Sequence, residues 1–311
     1  MLTYGLSYNI KTAMVNLMMK RRLIAASVIT ILNVASGNGY GADLRSLIEF
    51  KKNGAIDWTT GVVEAKGTGV PATYTYYSQP QTHQQQTIAE ATSKAHHNLL
   101  ETIVSLRIDS DSRVIDIVEA YPSIMAQLKG MVQIAPEIEI LRQHQYDGTV
   151  EVWSQMKLNG GFSQLILPPE IRHIESIKQV LTRKESAKIQ SRARSSQIFT
   201  GMVVDARGMR AVPVLAPKIL DENLEEVFGP TYVSREFAVQ HGMARYTTDI
   251  GQAKFDQRVS HNPLIVKALK VLWPGRCDFI ISNADAAKLK SASEHLKFLK
   301  ECKVIIVLDP M

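Results

Sequence analysis

Apolar and polar positions along the 311-residue chain follow two rhythms, and the switches between them mark its elements. Trp58-Thr59-Thr60-Gly61-Val62-Val63-Glu64-Ala65 is rich in β-branched residues and predicts a strand that stops at a turn over Gly67-Thr68-Gly69. Residues 70–86, with Pro71, Pro80, three tyrosines and a glutamine run, read as a loop with local extended structure. From 87 to 106 the period lengthens. Ile88, Ala91, Ala95, Leu99, Ile103 and Leu106 recur every three or four residues while Glu90, Lys94, His97 and Glu101 lie off that face, which predicts an amphipathic helix. Asp109-Ser110-Asp111-Ser112 breaks it and offers capping oxygens to a second helix, whose stripe is Ile115, Val118, Tyr121, Met125, Leu128 and Val132. Pro122, lacking an N–H, ends or kinks an early turn of that helix.

Residues 137–145 and 149–158 read as two strands around Tyr146-Asp147-Gly148, because Asp-Gly suits the positive φ of a tight hairpin. In the second strand Val150, Val152, Met156 and Leu158 alternate with Glu151, Gln155 and Lys157, so one face is buried and the other wet. Residues 57–158 therefore form a β-α-α-β-β domain, a small sheet with helices on one face. Residues 159–197 carry the breakers Gly160-Gly161 and Pro168-Pro169 and a basic stretch with Arg183, Lys184, Lys188, Arg192 and Arg194; they read as a solvated linker. The second domain, 198–311, opens with the strand Phe199-Thr200-Gly201-Met202-Val203-Val204-Asp205. A hairpin follows, from residues 212–220 and Glu226-Val227-Phe228 around Asp221-Glu222-Asn223. Residues 242–263 read as irregular, and 264–269 and 278–281 as strands. A helix is expected over 284–300 with Asn283 as cap and Leu289, Ala292, Leu296 and Leu299 inward. Val304-Ile305-Ile306-Val307-Leu308, apolar on both faces, reads as a central strand. The fold class is α+β, two small domains each with a short mixed or antiparallel sheet packed with helices.

Charge changes the picture at the N-terminus. The net charge is +6, but residues 1–42 hold four of the 36 basic residues and none of the 30 acidic ones, leaving 32 against 30. The excess is therefore local, and bulk charge gives no case for nucleic acid as a partner. Lys20-Arg21-Arg22 precedes the ten-residue run Leu23-Ile24-Ala25-Ala26-Ser27-Val28-Ile29-Thr30-Ile31-Leu32 and the small, polar Ala35-Ser36-Gly37-Asn38-Gly39. That order predicts a secretory signal peptide over 1–42, with translation starting at Met18 or Met19 and cleavage after Gly41 or Ala42. The run is too short to anchor in a bilayer. The expected location is the periplasm. With no cysteine near the run, no direct lipid anchor is expected, so association with the outer membrane would go through partners.

The candidate chemistry is sparse. Gly67-Thr68-Gly69-Val70-Pro71-Ala72 has the spacing of a dinucleotide loop, but Pro71 and Thr73-Tyr74-Thr75-Tyr76 behind it are no helix start to receive pyrophosphate. Asp109-Ser110-Asp111-Ser112-Arg113 opens like a calcium loop, yet Val114 and Ala120 stand where the sharp-turn Gly and the bidentate Glu belong. His96 and His97 are adjacent, so on a helix they point about 100° apart and do not share a metal. Cofactors and metals are not expected. Cys277 and Cys302 are the two cysteines; in an oxidising compartment they either bridge, closing a loop worth about 3.5 kcal/mol, or stand as separate buried thiols. Cys277 with Asp278 and His295 has the residue types of a nucleophile system, and His261 joins Cys277 and His295 as a scattered hydrolase set, but separate structural thiols and surface histidines are the expected reading.

Two stretches carry a family likeness. Residues 61–69, Asn98-Leu99-Leu100-Glu101-Thr102-Ile103, Arg107-Ile108-Asp109-Ser110 and Tyr146-Asp147-Gly148-Thr149-Val150-Glu151-Val152 resemble the LPP20 lipoprotein family. Residues 200–208, Ala216-Pro217-Lys218-Ile219-Leu220-Asp221 and Asn262-Pro263-Leu264 resemble the domain that follows it in exported proteobacterial proteins. The resemblance implies a non-enzymatic envelope protein, with relatives among outer-membrane-associated rings of the flagellar motor and secretion systems. The lipobox cysteine of that family is missing here. The expected function is an exported scaffold subunit that forms homo-oligomers and binds envelope proteins. The alternatives are a periplasmic hydrolase built from His261, Cys277 and His295, or a monomeric binder of peptidoglycan or a small ligand.

Overall fold

The computed structural model describes residues 46–71, 80–136, 143–144, 148–171 and 198–311. The signal-peptide reading of 1–42, residues 137–142 of the expected hairpin and the basic part of the linker lie outside them. The fold is a mixed α/β arrangement in two sheet-bearing lobes, with thirteen strands and eight helices among the described residues.

The first lobe holds an antiparallel sheet ordered β1-β2-β3-β5-β4, from β1 (Ile48–Phe50), β2 (Gly54–Asp57), β3 (Val62–Gly69), β4 (Gln143–His144) and β5 (Val150–Lys157). Its face is covered by α1 (Pro80–Val104), with α2 (Val114–Ala120) and α3 (Pro122–Gln133) behind. β5 buries every second residue from Val150 to Met156, as its alternation predicts. The expected turn at Gly67-Thr68-Gly69 is instead the end of β3, where the helix backbone lies directly on the strand. A Cβ on Gly67 would stand 2.0 Å from the Ala91 carbonyl oxygen, and one on Gly69 2.0 Å from that of Thr87. Helix α1 starts earlier than expected, at Pro80. Pro122 separates α2 from α3 rather than kinking one helix; it sits at the first position of α3, where its missing N–H costs nothing. The break turns Tyr121 out to 59% exposure, away from the predicted stripe. Helix α2 draws no cap from Asp109 or Asp111. Asp116 reaches back instead to accept from the Arg113 N–H at 2.7 Å.

The second lobe has two sheets. The first is all parallel, β10-β6-β13-β9, from β6 (Gly201–Asp205), β9 (Arg245–Thr247), β10 (Pro263–Lys267) and β13 (Val304–Val307). The second is ordered β11-β12-β7-β8, from β7 (Lys218–Leu220), β8 (Glu226–Phe228), β11 (Lys270–Val271) and β12 (Asp278–Ile280). Strand β13 is central and fully buried, as its unbroken apolar run requires. The β7–β8 hairpin closes where Asp221 Oδ1 accepts from the N–H groups of Asn223 and Glu225. Residues 242–263 are not irregular: they contain β9 and α6 (Ile250–Phe255), and α5 (Arg235–His241) precedes them. The helix expected over 284–300 is two, α7 (Asn283–Leu289) and α8 (Ser293–Lys300), and the cap is Ser282, whose Oγ accepts from the Asp285 N–H. The interruption rotates α8, so His295 and Phe298 are buried and Leu296 points to solvent.

The stretch read as linker contributes structure as far as it is described. Helix α4 (Gly161–Ile166) buries Phe162 and Ile166, and Ile171 is buried beyond it. The two lobes form one compact unit, Ser46–Met311, with one hydrophobic cluster running through both. Trp58 meets Tyr246 edge-to-face at 5.8 Å, and the Leu215 and Ala216 N–H groups donate to the Arg107 and Ile108 carbonyls. The Arg235 guanidinium, from α5, donates to the Gln164, Leu167, Pro168 and Ile171 carbonyls and so closes the C-terminal end of α4.

Candidate functional site

The residues nominated by sequence are dispersed, and each has a structural occupation. Gly67 and Gly69 give α1 close approach to β3 and line no phosphate loop. Asp109 Oδ1 accepts from the Asp111 and Ser112 N–H groups and the Ser112 hydroxyl at 2.8–2.9 Å, which closes a turn. His97 stands 3.4 Å from Glu101 on the exposed face of α1, whereas His96 is partly buried. Among the described residues no group of three His, Cys, Asp or Glu side chains has the geometry to hold a metal ion.

Cys277 and Cys302 are both free and both buried, the second of the two alternatives left open by the sequence. Cys277 lies beside Asp278, with Arg107 and Asp109 in its electrostatic surroundings; Cys302 lies beside Arg258. Burial pushes each thiol up to about 12, the opposite of what a nucleophile needs. His295 is wholly buried. Its Nε2 accepts from the Phe199 N–H at 3.0 Å and its Nδ1 faces the Lys288 carbonyl oxygen at 2.9 Å, so Nδ1 carries the proton. Both ring nitrogens are thus spent on backbone. His261 is exposed. Sequence spacing gave no warning of this, because the partners of His295 come from the start of the lobe and from the preceding helix.

Two surface features stand out. One is a concave seam of about 800 Å³ between α2–α3 and α4, lined by Ile117, Tyr121, Ile124, Leu165, Pro168 and Arg235. The other is a row along consecutive edge strands. β10 pairs only with β6, and β11 only with β12, among the described residues. Between Leu264 and Leu269 the side chains alternate, and beyond them Lys270 is exposed. Leu264, Val266 and Ala268 are buried, while Ile265, Lys267 and Leu269 are exposed; Val271 packs back on the core and Trp273 is 74% exposed. The Arg276 guanidinium sits over the Trp273 ring, 5.3 Å from its centroid. Lys267 lies 3.4 Å from Asp205, which is also gripped by both Nε and Nη2 of Arg207 at 2.8 and 2.9 Å; that pairing holds the Asp205 carboxyl down at about 2. The apolar strand over 264–269 is legible in the sequence, but which of its residues face out and the openness of the edge are properties of the fold.

A family model matches residues 201–310: that of the second domain of Treponema pallidum Tp0624. The match begins at the first residue of β6 and spans both sheets of the second lobe. Comparison with curated proteins gives no match. The LPP20 resemblance, with the companion domain attached to it, is overturned: the match lies on the second lobe and is to a different domain. The stretches that carried that likeness are packing and turn signals, such as Gly67 against α1 and the Asp221 turn, which unrelated α/β chains share.

Proposed function

We propose that the protein is an exported, non-enzymatic scaffold subunit of an envelope-associated assembly, which pairs with further copies of itself and with envelope proteins. The observation that carries this reading is the exposed set Ile265, Lys267, Leu269 and Trp273 along and beside two successive open strands. An open edge presents unpaired N–H and C=O groups, and apolar side chains beside them bury against an incoming strand. A second copy is the occupant of choice because one such edge is complementary to another related by a two-fold axis. The buried, unactivated thiols and the spent nitrogens of His295 favour work through surfaces over catalysis by that set.

Sedimentation and native mass measurement of the processed protein, alone and from envelope extracts, test the reading. Dimers or larger species are expected, and replacing both Leu269 and Trp273 by Glu is expected to return the monomer with its melting temperature kept. A monomer at every concentration, absent from every envelope complex, overturns it. Export is tested separately by fractionation and N-terminal sequencing; an uncut chain in the cytosol would remove the envelope from the reading.

A further inference from the structure

A second, smaller cavity of about 360 Å³ opens at the other side of the second lobe. Its walls bring together residues far apart in sequence: Asn159, Phe237, His241, Arg245, Asp256, Arg258 and Lys303 among them. Two of its cations are neutralised by carboxylates. Arg245 Nη1 donates to both oxygens of Asp256, at 3.0 and 2.7 Å, and Lys303 Nζ lies 2.8 Å from Glu301.

Arg258 is different. Its Nε donates to the Cys302 carbonyl, Nη1 to that of His241 and Nη2 to that of Gly242. The His241 and Gly242 carbonyls end α5, and that of Cys302 follows α8, so the guanidinium joins two helix C-termini. A guanidinium has five N–H donors. Three are used here, which leaves one on each terminal nitrogen, and among the described residues no carboxylate stands within ion-pairing distance of it. Helix ends supply only partial negative charge, about half an elementary charge each. Burial lowers the Arg258 guanidinium to about 10; Cys302 and Asp256 oppose that shift and Arg245 adds to it.

We infer that this cavity is a binding site for a small organic anion, whose carboxylate or phosphate group sits against Arg258 and draws Lys303 away from Glu301, and whose apolar part lies on Phe237. Each unused terminal N–H is a charged donor to one oxygen of such a group. The cavity is within the size range of small-molecule sites, and its mixture of one apolar wall with a few convergent donors is typical of them. The walls come from both sides of the residue 172–197 stretch in sequence, since Asn159 precedes it and the others follow. This site is independent of the edge strands and stands or falls without them.

The test is titration of the processed protein with inorganic phosphate and with benzoate, read by calorimetry and by amide chemical shifts. Saturable binding with a dissociation constant of about 1 mM or tighter is expected for at least one probe, with shifts at Phe237, His241 and Lys303. Saturation by benzoate alone assigns a carboxylate, and saturation by phosphate alone a phosphate. Lys303→Gln, on a partly exposed side chain, is expected to weaken binding about tenfold while the melting temperature holds. Arg258→Lys keeps the charge and is expected to abolish binding. If that variant does not fold, Lys303→Gln decides. Absence of saturation by either probe at about 10 mM, or an unchanged constant in Lys303→Gln, overturns the proposal, and Arg258 is then a staple between helices only.

Discussion

Replacing Glu64 by glutamine isolates the cost of one buried carboxylate. Glu64 lies in β3 between Ala55 of β2 and Gln155 of β5 and is only 3% exposed. Burial, and then the neighbouring Asp57, raise its carboxyl from an ordinary 4.5 to about 7. The native protein therefore holds a proton that the unfolded chain has lost, and stability falls as pH rises between those values. Each unit is worth 1.36 kcal/mol, so the penalty grows from nothing below about pH 4.5 to about 3 kcal/mol above about pH 7. Glutamine keeps the shape and does not titrate. Any cost of burying its amide is the same at every pH, so only the pH-dependent part of the difference is diagnostic. Urea unfolding of both proteins from about pH 4 to 9 should show the variant gaining about 3 kcal/mol on the native chain across that range. A difference that stays flat with pH, or one that moves against the variant as pH rises, refutes the assignment of a neutral buried Glu64.

Four further outcomes are expected. Gly67→Ala sets a methyl 2.0 Å from the Ala91 carbonyl, where backbone cannot yield, and should cost about 3 kcal/mol or prevent folding by circular dichroism; a neutral result would show that α1 does not sit on β3. His295→Ala strips partners from the Phe199 N–H and the Lys288 carbonyl and should lower stability by about 3 kcal/mol in chemical denaturation, whereas a change under about 1 kcal/mol would refute the two-bond geometry. Ser282→Ala removes the α7 cap and should cost about 1 kcal/mol. Thiol-specific alkylation followed by mass measurement should label neither Cys277 nor Cys302 in the native protein and both in denaturant; a mass two hydrogens short before reduction would show the bridge instead.

What was legible in the chain follows from periodicity. β5 and β13 sit where their patterns put them, one half-buried and one central, because a strand's burial is written on alternate residues or on all of them. α1 is legible for its length, with Ala91, Ala95, Leu99 and Ile103 wholly buried. Short elements were not. β1, β2, α5, β9 and α6 hold three to seven residues each, too few for a period to register. They are fixed by distant partners: Arg258 on the end of α5, and Arg245 on Asp256 between β9 and the turn after α6. The same distance explains the inward Leu296 that is in fact exposed. A break at residues 290–292, invisible to a helical wheel, turns α8 and presents His295 instead.

By itself the sequence determined the α+β class, the long helix, the hairpin at Asp221 and an apolar strand near 264–269, because each depends on residues within a few positions of one another. Only tertiary structure decided that the two lobes share one core, that Cys277 and Cys302 stay apart, that β10 and β11 end on open edges, and that Arg258 meets three carbonyls beside a cavity. Those are relations between segments tens to hundreds of residues apart. Which segments become neighbours is set by how the whole chain buries its apolar faces, and no local pattern carries that information.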